Sequence, residues 1–154
     1  MQQSYFFYNT PIGPITIAND GEALTNLIFG SRQLQGNFKA TTLGNRAANQ
    51  IQEYLAGKRH YFDLPLAPSG SEFQKAVWEE TADIPYGATK TYAEMAQAIG
   101  RPRAARAVGH ALNQNPLVIV IPCHRVIGSN GKLVGFAGGL DVKQYLLDLE
   151  RKHC

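Results

Sequence analysis

The residues best able to do chemistry in this sequence are Cys123 and His124. They are delivered by the apolar run Leu117-Val118-Ile119-Val120-Ile121 and Pro122, and are followed by Arg125. A thiol set directly after a rigid proline, at the edge of a hydrophobic segment and beside a cation, is a setting for a reactive nucleophile. The competing reading is a buried and inert cysteine, and the residues alone leave the two open. The other cysteine, Cys154, is the last residue, so neither a disulfide framework nor a four-cysteine zinc site can be assembled. A second cluster lies upstream. Arg101, Arg103 and Arg106 gather positive charge around a helix whose Ala104, Ala105, Ala107 and Gly109 keep its surface low enough for close approach to a nucleic-acid duplex. The alternative there is an ordinary helical hairpin with a solvated arginine face.

Composition bounds the class. The chain has 154 residues, 44% hydrophobic and 18% charged, with seven Phe, seven Tyr and one Trp, which is enough apolar material for a core and excludes wholesale disorder. Its longest apolar run falls far short of the roughly 20 residues that span a bilayer, and no basic-then-apolar leader is visible, so no membrane partner and a cytoplasmic location are expected. A net charge of +3 allows a polyanionic partner without demanding one.

Two stretches differ in texture. Ser4 to Thr10, Ile15 to Asn19 and Ala23 to Phe29 are rich in Phe, Tyr, Ile, Thr and Leu and are punctuated by Pro and Gly, which predicts a small antiparallel meander. Arg46 to Ala56 places Ala47, Ile51, Tyr54 and Leu55 at helical spacing, with Gly57 as a stop. The proline-containing segment from Asp63 to Gly70 is the expected linker, giving domains of residues 1–68 and 69–154. Beyond it, Ser71 caps a helix with Phe73, Ala76 and Val77 inward. A second helix carries Tyr92, Met95, Ala96 and Ile99 on one face and stops at Gly100. A third buries Ala104, Val108, Ala111 and Leu112, leaving Arg103, Arg106, His110 and Asn113 outward. Two short helices about a glycine turn form a helix-turn-helix candidate. Leu117 to Ile121 reads as a buried strand or a core connector. Ile127 to Leu133 reads as a hairpin turning at Asn130-Gly131, a wing, and a last helix has Val142, Tyr145, Leu146 and Leu149 on one face. The fold class expected is α+β, a small sheet domain with one helix followed by a helical domain with a winged helix-turn-helix.

Ile121-Pro122-Cys123-His124-Arg125-Val126 resembles the active-site signature of the O6-alkylguanine-DNA alkyltransferases, the methylated-DNA-protein-cysteine methyltransferases. The likeness extends over Phe73 to Glu150 through Tyr92, Ala104 to Gly109, Asn115-Pro116, Gly138-Gly139-Leu140 and Glu150, in order and spacing. The first stretch is similar only in outline to the ribonuclease H-like sheet domain of that family, and the loop around Phe136 resembles the bacterial constitutive type. The resemblance implies stoichiometric repair, in which an alkyl group passes from O6 of guanine in duplex DNA to Cys123 after base flipping, with no cofactor; the metal site that some members carry in the first domain cannot be assembled here, since that stretch contains no cysteine. A free cysteine, with a pKa of about 8.5, is mostly protonated at neutral pH, so a base is needed. The resemblance assigns that role to His124, through a water, with Glu150 orienting it and Asn115 bracing the turn. It likewise implies Tyr92 for the flipped base, Arg106 for the vacated space, Ala105 and Gly109 for close contact with the minor groove, and Val126, Leu112, Ala137 and Lys143 around the substrate. Tyr92 is also the first core residue of its helix by periodicity, and an N-terminal position reconciles the two.

Phe136 and Ala137 stand where some members carry tyrosine and serine. The missing hydroxyls imply a more open pocket, for bulkier O6-alkyl groups or O4-alkylthymine. The expected partner is double-stranded DNA containing O6-alkylguanine, bound by a monomer, with cooperative binding open. The competing functions are a lesion-sensing DNA-binding protein without transferase activity, which the presence of Cys123 disfavours, a plain winged-helix regulator, and a cysteine hydrolase using Cys123 and His124.

Overall fold

The computed structural model describes residues 3–131, 135–136 and 138–154. The chain divides into two compact units, Met1–Ser69 and Gly70–Cys154.

In the first unit, β1 (Ser4–Tyr8), β2 (Ile15–Asn19) and β3 (Leu24–Phe29) form the expected antiparallel meander. The sheet is nevertheless mixed. A two-residue strand β4 (Asn37–Phe38) joins the free edge of β1 in parallel, giving the order β3-β2-β1-β4. Two residues are too short for a period-two signal, so β4 left no trace in the pattern. Its placement depends on Gly36, which adopts φ +110; a Cβ there would sit 2.0 Å from the Gln3 carbonyl oxygen. Helix α1 (Thr42–Leu55) starts four residues earlier than its apolar spacing indicates, because the Thr41 side chain caps the Gly44 amide. Ala47, Ile51 and Tyr54 are fully buried with Ile15, Ile17, Leu24 and Leu27. The Pro-rich segment does not simply trail away: Leu24 donates to Pro65 O and Ala67 donates to Leu24 O, so it lies along the outer edge of β3.

The second unit is helical. Its helices are α2 (Glu72–Ala82), α3 (Tyr92–Ala98), α4 (Ala105–Asn113) and α5 (Leu140–His153), with β5 (Lys90–Thr91) and β6 (Val126–Ile127) paired in parallel. Reciprocal capping boxes start α2 (Ser71 with Gln74) and α3 (Thr91 with Glu94). Gly100 at φ +76 closes the tight turn between α3 and α4, which pack on each other. On α2 the buried stripe is Val77, Trp78 and Thr81, and Phe73 and Ala76 are only half-buried. The Trp78 indole bonds to Ala111 O at 2.9 Å, which ties α2 to α4.

Two further expectations change, at Leu117 to Ile121 and on α5. Leu117 to Ile121 is the connector rather than a strand, with Ile119 at φ +71. Of the expected hairpin after β6 the turn is described, with Gly131 at φ +80 donating to Gly128 O, while the returning arm, Lys132 to Val134, lies outside the described residues. The inward face of α5 is Lys143, Leu146, Leu147 and Glu150, shifted from the apolar stripe, and Tyr145 is exposed. Among the described residues no helix is long and apolar enough to cross a membrane.

Replacing Gly36 with Ala should destabilise the first unit by about 1–3 kcal/mol, since the new side chain meets both the Gln3 carbonyl and an unfavourable φ. Urea unfolding followed by circular dichroism checks this, and an unchanged midpoint would show that β4 can detach at no cost.

Candidate functional site

The site is built by a connector that cannot be a regular element. Asn115 sits just past the end of α4, buried, and its amide brackets the chain that follows: Nδ2 donates to Ile121 O at 2.9 Å and Oδ1 accepts from Leu117 N at 2.9 Å. Ile121 N to Leu117 O, Val120 N to Val118 O and Cys123 N to Ile121 O complete the turn. Leu117, Val118, Ile119 and Ile121 are all buried, which anchors the loop in the core as firmly as a strand would be. Pro122 then opens a single 3-10 turn, Cys123–Arg125, every residue of which is buried.

Around that turn the structure gathers ionisable groups in a dry interior. His124 Nε2 lies 2.7 Å from Glu150 Oε2, with the two side chains 0% and 1% exposed. Arg125 grips the same carboxylate with both arms, Nε to Oε1 at 2.8 Å and Nη2 to Oε2 at 2.9 Å, while its third nitrogen donates to Ile84 O at 2.7 Å. The Gly87 amide donates to Glu150 Oε1 at 3.0 Å. Lys143, one side of α5 with Glu150, sends its ammonium to Val126 O at 2.7 Å and towards Gly135 O at 3.4 Å, 5.9 Å from the centre of the Tyr92 ring.

Burial sets the protonation states. It pushes the Cys123 thiol up to about 11, with the Asn115 amide and the Lys143 charge pulling weakly the other way. It lowers His124, although Glu150 opposes the shift. It lowers Lys143 and raises Tyr92, the latter with help from the Cys123 charge. At neutral pH the resting pair is therefore a thiol and a neutral imidazole. Forming a thiolate means moving a proton between them within a site that already holds a carboxylate for the resulting imidazolium.

A groove of about 490 Å³ lies along α4, lined by Tyr92, Ala105, Arg106, Gly109, His110, Asn113 and Gly135. A Cβ on Gly109 would lie 3.7 Å from the Tyr92 ring, so the ring rests directly on that glycine. As the first residue of α3, Tyr92 stands ahead of the buried pair Met95 and Ala96, which satisfies the groove and the core pattern together.

Of the residues singled out from sequence, Cys123, His124 and Glu150 belong to one buried cluster, with Asn115, Lys143 and Val126 bonded into it or onto its turn. Tyr92, Ala105, Arg106 and Gly109 share the groove. Leu112 is buried on the expected inward face of α4 with Val108 and Ala111. Ala137 lies outside the described residues. Sequence reasoning missed Arg125 as a partner of Glu150, because 25 residues separate them and no helical or strand spacing links them. It also left His110 and Asn113 as merely outward residues, although the outward stripe of α4 already contained them. Among the described residues, no three His, Cys, Asp or Glu side chains group as metal ligands would.

Residues 72–152 match the family model for the 6-O-methylguanine DNA methyltransferase DNA-binding domain, and residues 4–68 match that for the ribonuclease-like domain of the same proteins. A methylated-DNA-protein-cysteine methyltransferase of Methanosarcina barkeri is 49% identical, over 97% of this chain and 98% of its own length. One from Mycolicibacterium paratuberculosis is 47% identical, over 97% and 93%. A Mycobacterium tuberculosis protein crystallised in complex with DNA superposes with a TM-score of 0.91 at 42% identity, covering 97% of this chain and 94% of that one.

In the absence of any ligand, iodoacetamide at neutral pH should label exposed Cys154 well over about tenfold faster than Cys123. Labelling of Cys123 should then rise with pH towards the raised thiol value of about 11. Peptide mass spectrometry reads both sites, and equal labelling at neutral pH would contradict the burial of the thiol.

Proposed function

This chain belongs to the 6-O-methylguanine DNA methyltransferase family, and on that premise we propose that it repairs DNA by direct reversal, moving an alkyl group from O6 of guanine in duplex DNA irreversibly onto its own Cys123. The observation that carries this reading is a buried thiol whose neighbour in sequence is an imidazole hydrogen-bonded to a buried carboxylate.

The chemistry follows from those groups. The Cys123 proton passes to His124 through a water, and Glu150, already bonded to Nε2, stabilises the imidazolium. The thiolate attacks the alkyl carbon; the S–C bond forms as the C–O6 bond breaks, and the electron pair goes to the guanine. The guanine regains a proton, so a thiol and an alkylguanine become a thioether and guanine. Nothing then removes the alkyl group, and each molecule acts once. Charge developing on the leaving base calls for a donor, the role given to Tyr92, with the Val126 carbonyl holding the base's amino group and Lys143 holding that carbonyl.

The target atom lies inside the stack, so the nucleotide must leave it. In this reading Arg106 fills the vacated space from the outward face of α4, while Ala105 and Gly109 let the helix backbone lie close in the minor groove. The Mycobacterium tuberculosis protein of similar fold was solved with DNA, which supports DNA as the partner; α4 is assigned as the DNA-facing helix of a winged helix-turn-helix on the strength of its groove and outward arginine. Both chemistry and DNA contact are assigned to residues 69–154, and the duplex is taken to be bound by one copy of the chain. Leu112 and Ala137 complete the proposed surroundings of the base, and the lack of side-chain hydroxyls at Phe136 and Ala137 is the basis for proposing that groups larger than methyl are also accepted. A lesion sensor without transfer is the weaker reading, because such a protein has no use for the thiol.

Mixing the protein with a duplex carrying one O6-methylguanine should add a single methyl to the Cys123 peptide, at one equivalent per chain, and Cys123→Ala should gain none. Binding without transfer would leave only the sensor. Arg106→Ala should slow transfer from duplex about tenfold or more while leaving transfer from the free modified base nearly unchanged. Equal losses on both substrates would move Arg106 out of the DNA interface.

A further inference from the structure

We infer that Arg125 is a positioning residue for this reaction: by taking both oxygens of Glu150 it keeps His124 neutral and ready to accept the thiol proton. The inference rests on the transferase reading and concerns a residue to which that reading gives no task.

The geometry leaves Arg125 little freedom. Its Nε and Nη2 lie 2.8 and 2.9 Å from the two oxygens of Glu150, and Nη1 donates to Ile84 O at 2.7 Å. Its guanidinium stands 5.6 Å from the centre of the Tyr86 ring. Glu150 in turn distributes its acceptors evenly: Oε1 serves Arg125 and the Gly87 amide, and Oε2 serves Arg125 and His124. A buried carboxylate facing an imidazole alone would draw a proton onto the ring and hold it there. A ring already protonated cannot act as a base. A guanidinium on the same carboxylate removes most of that pull but leaves the oxygen in place for when the ring does become charged.

The other groups bearing on His124 act in known directions. Lys143 on α5 adds to the effect of Arg125, and the Cys123 thiol is the proton donor itself. Helix α2 also packs on the turn, and its buried residues are Val77, Trp78 and Thr81, none of them charged. Burial is the largest cause of the lowered affinity of His124 for a proton, and Arg125 and then Lys143 add to it against Glu150 at 2.7 Å. Lysine would keep the charge without the two-armed grip, so Arg125→Lys separates charge from geometry.

The test uses the full chain, with the His124 ring signals followed by NMR against pH beside the pH profile of single-turnover methyl transfer from an O6-methylguanine duplex. In Arg125→Met, His124 should take up its proton at higher pH than in the parent, and the acid limb of the rate should move the same way. Roughly tenfold of the rate should be lost at the acid end with little loss at the alkaline end. Arg125→Lys should fall between. A folded Arg125→Met protein whose ring titration and acid limb coincide with the parent, however slow it is, would overturn the inference and leave Arg125 a structural brace. If Arg125→Met does not fold, the double variant Arg125→Met/Glu150→Gln removes both charges together. Its His124 should show no upward shift, and an upward shift there would equally overturn the inference. Failure of the parent protein to transfer methyl would sink the transferase reading, while the ring titration would still decide what Arg125 does to His124.

Discussion

The second unit is organised around one buried carboxylate. Glu150 is 1% exposed and accepts from three residues on two separate pieces of chain: the Gly87 amide in the turn after α2, and His124 and Arg125 in the 3-10 turn. An ionised carboxylate in a dry interior is tolerated only when its oxygens are filled by donors and its charge is met. Satisfying it fixes where α5 docks, how the Ile84 to Gly87 turn lies and which way the 3-10 turn faces. The same requirement explains why the inward stripe of α5 contains Lys143 and Glu150 where a purely structural helix would carry leucines.

That arrangement solves an electrostatic conflict. In the proposed reading Cys123 is a nucleophile that reacts once, with one substrate, and such a group is best kept protonated and out of reach until the substrate arrives. Burial does this for Cys123 by raising its thiol to about 11, and it keeps His124 neutral beside it. The groups that would stabilise the charge-separated state, Glu150 for the ring and Lys143 near the sulfur, are already in place and need no solvent to reorganise. Low reactivity at rest and readiness for transfer thus come from the same desolvated surroundings.

How much of this was legible in the sequence depends on the range of the contacts. Capping residues Ser71 and Thr91, the glycine turn at Gly100 and the outward stripe of α4 are local and were readable from neighbours three or four residues apart. The mixed sheet was not, because β4 is two residues long and held by a parallel pairing across the unit. The inward face of α5 was misread for a telling reason: Val142, Tyr145 and Leu149 make the better apolar stripe, but the charged cluster outweighs them. Without the likeness to a known family, Glu150 would have passed for a surface charge near a helix end. Nothing local marks Arg125 as its partner.

The connector before Cys123 shows why periodicity failed there. Five successive apolar residues read equally as a buried strand and as a folded-back loop, since both put every side chain in the core. The difference lies in Ile119 at φ +71, a conformation that costs a β-branched residue on the order of 1–3 kcal/mol and persists only where the surroundings fix it. The surroundings here are the Asn115 amide, bonded on both sides of the turn, and the main-chain bonds within it. A strand would run past the end of α4 and carry Cys123 away; the folded-back turn returns the chain, and Asn115 ties its end, at Ile121, to the end of α4. The thiol is thus mounted at the close of a turn bracketed by the side-chain amide of an asparagine two residues past α4. The helix that the proposed reading lays against DNA and the nucleophile it serves are thereby held in register by one side-chain amide.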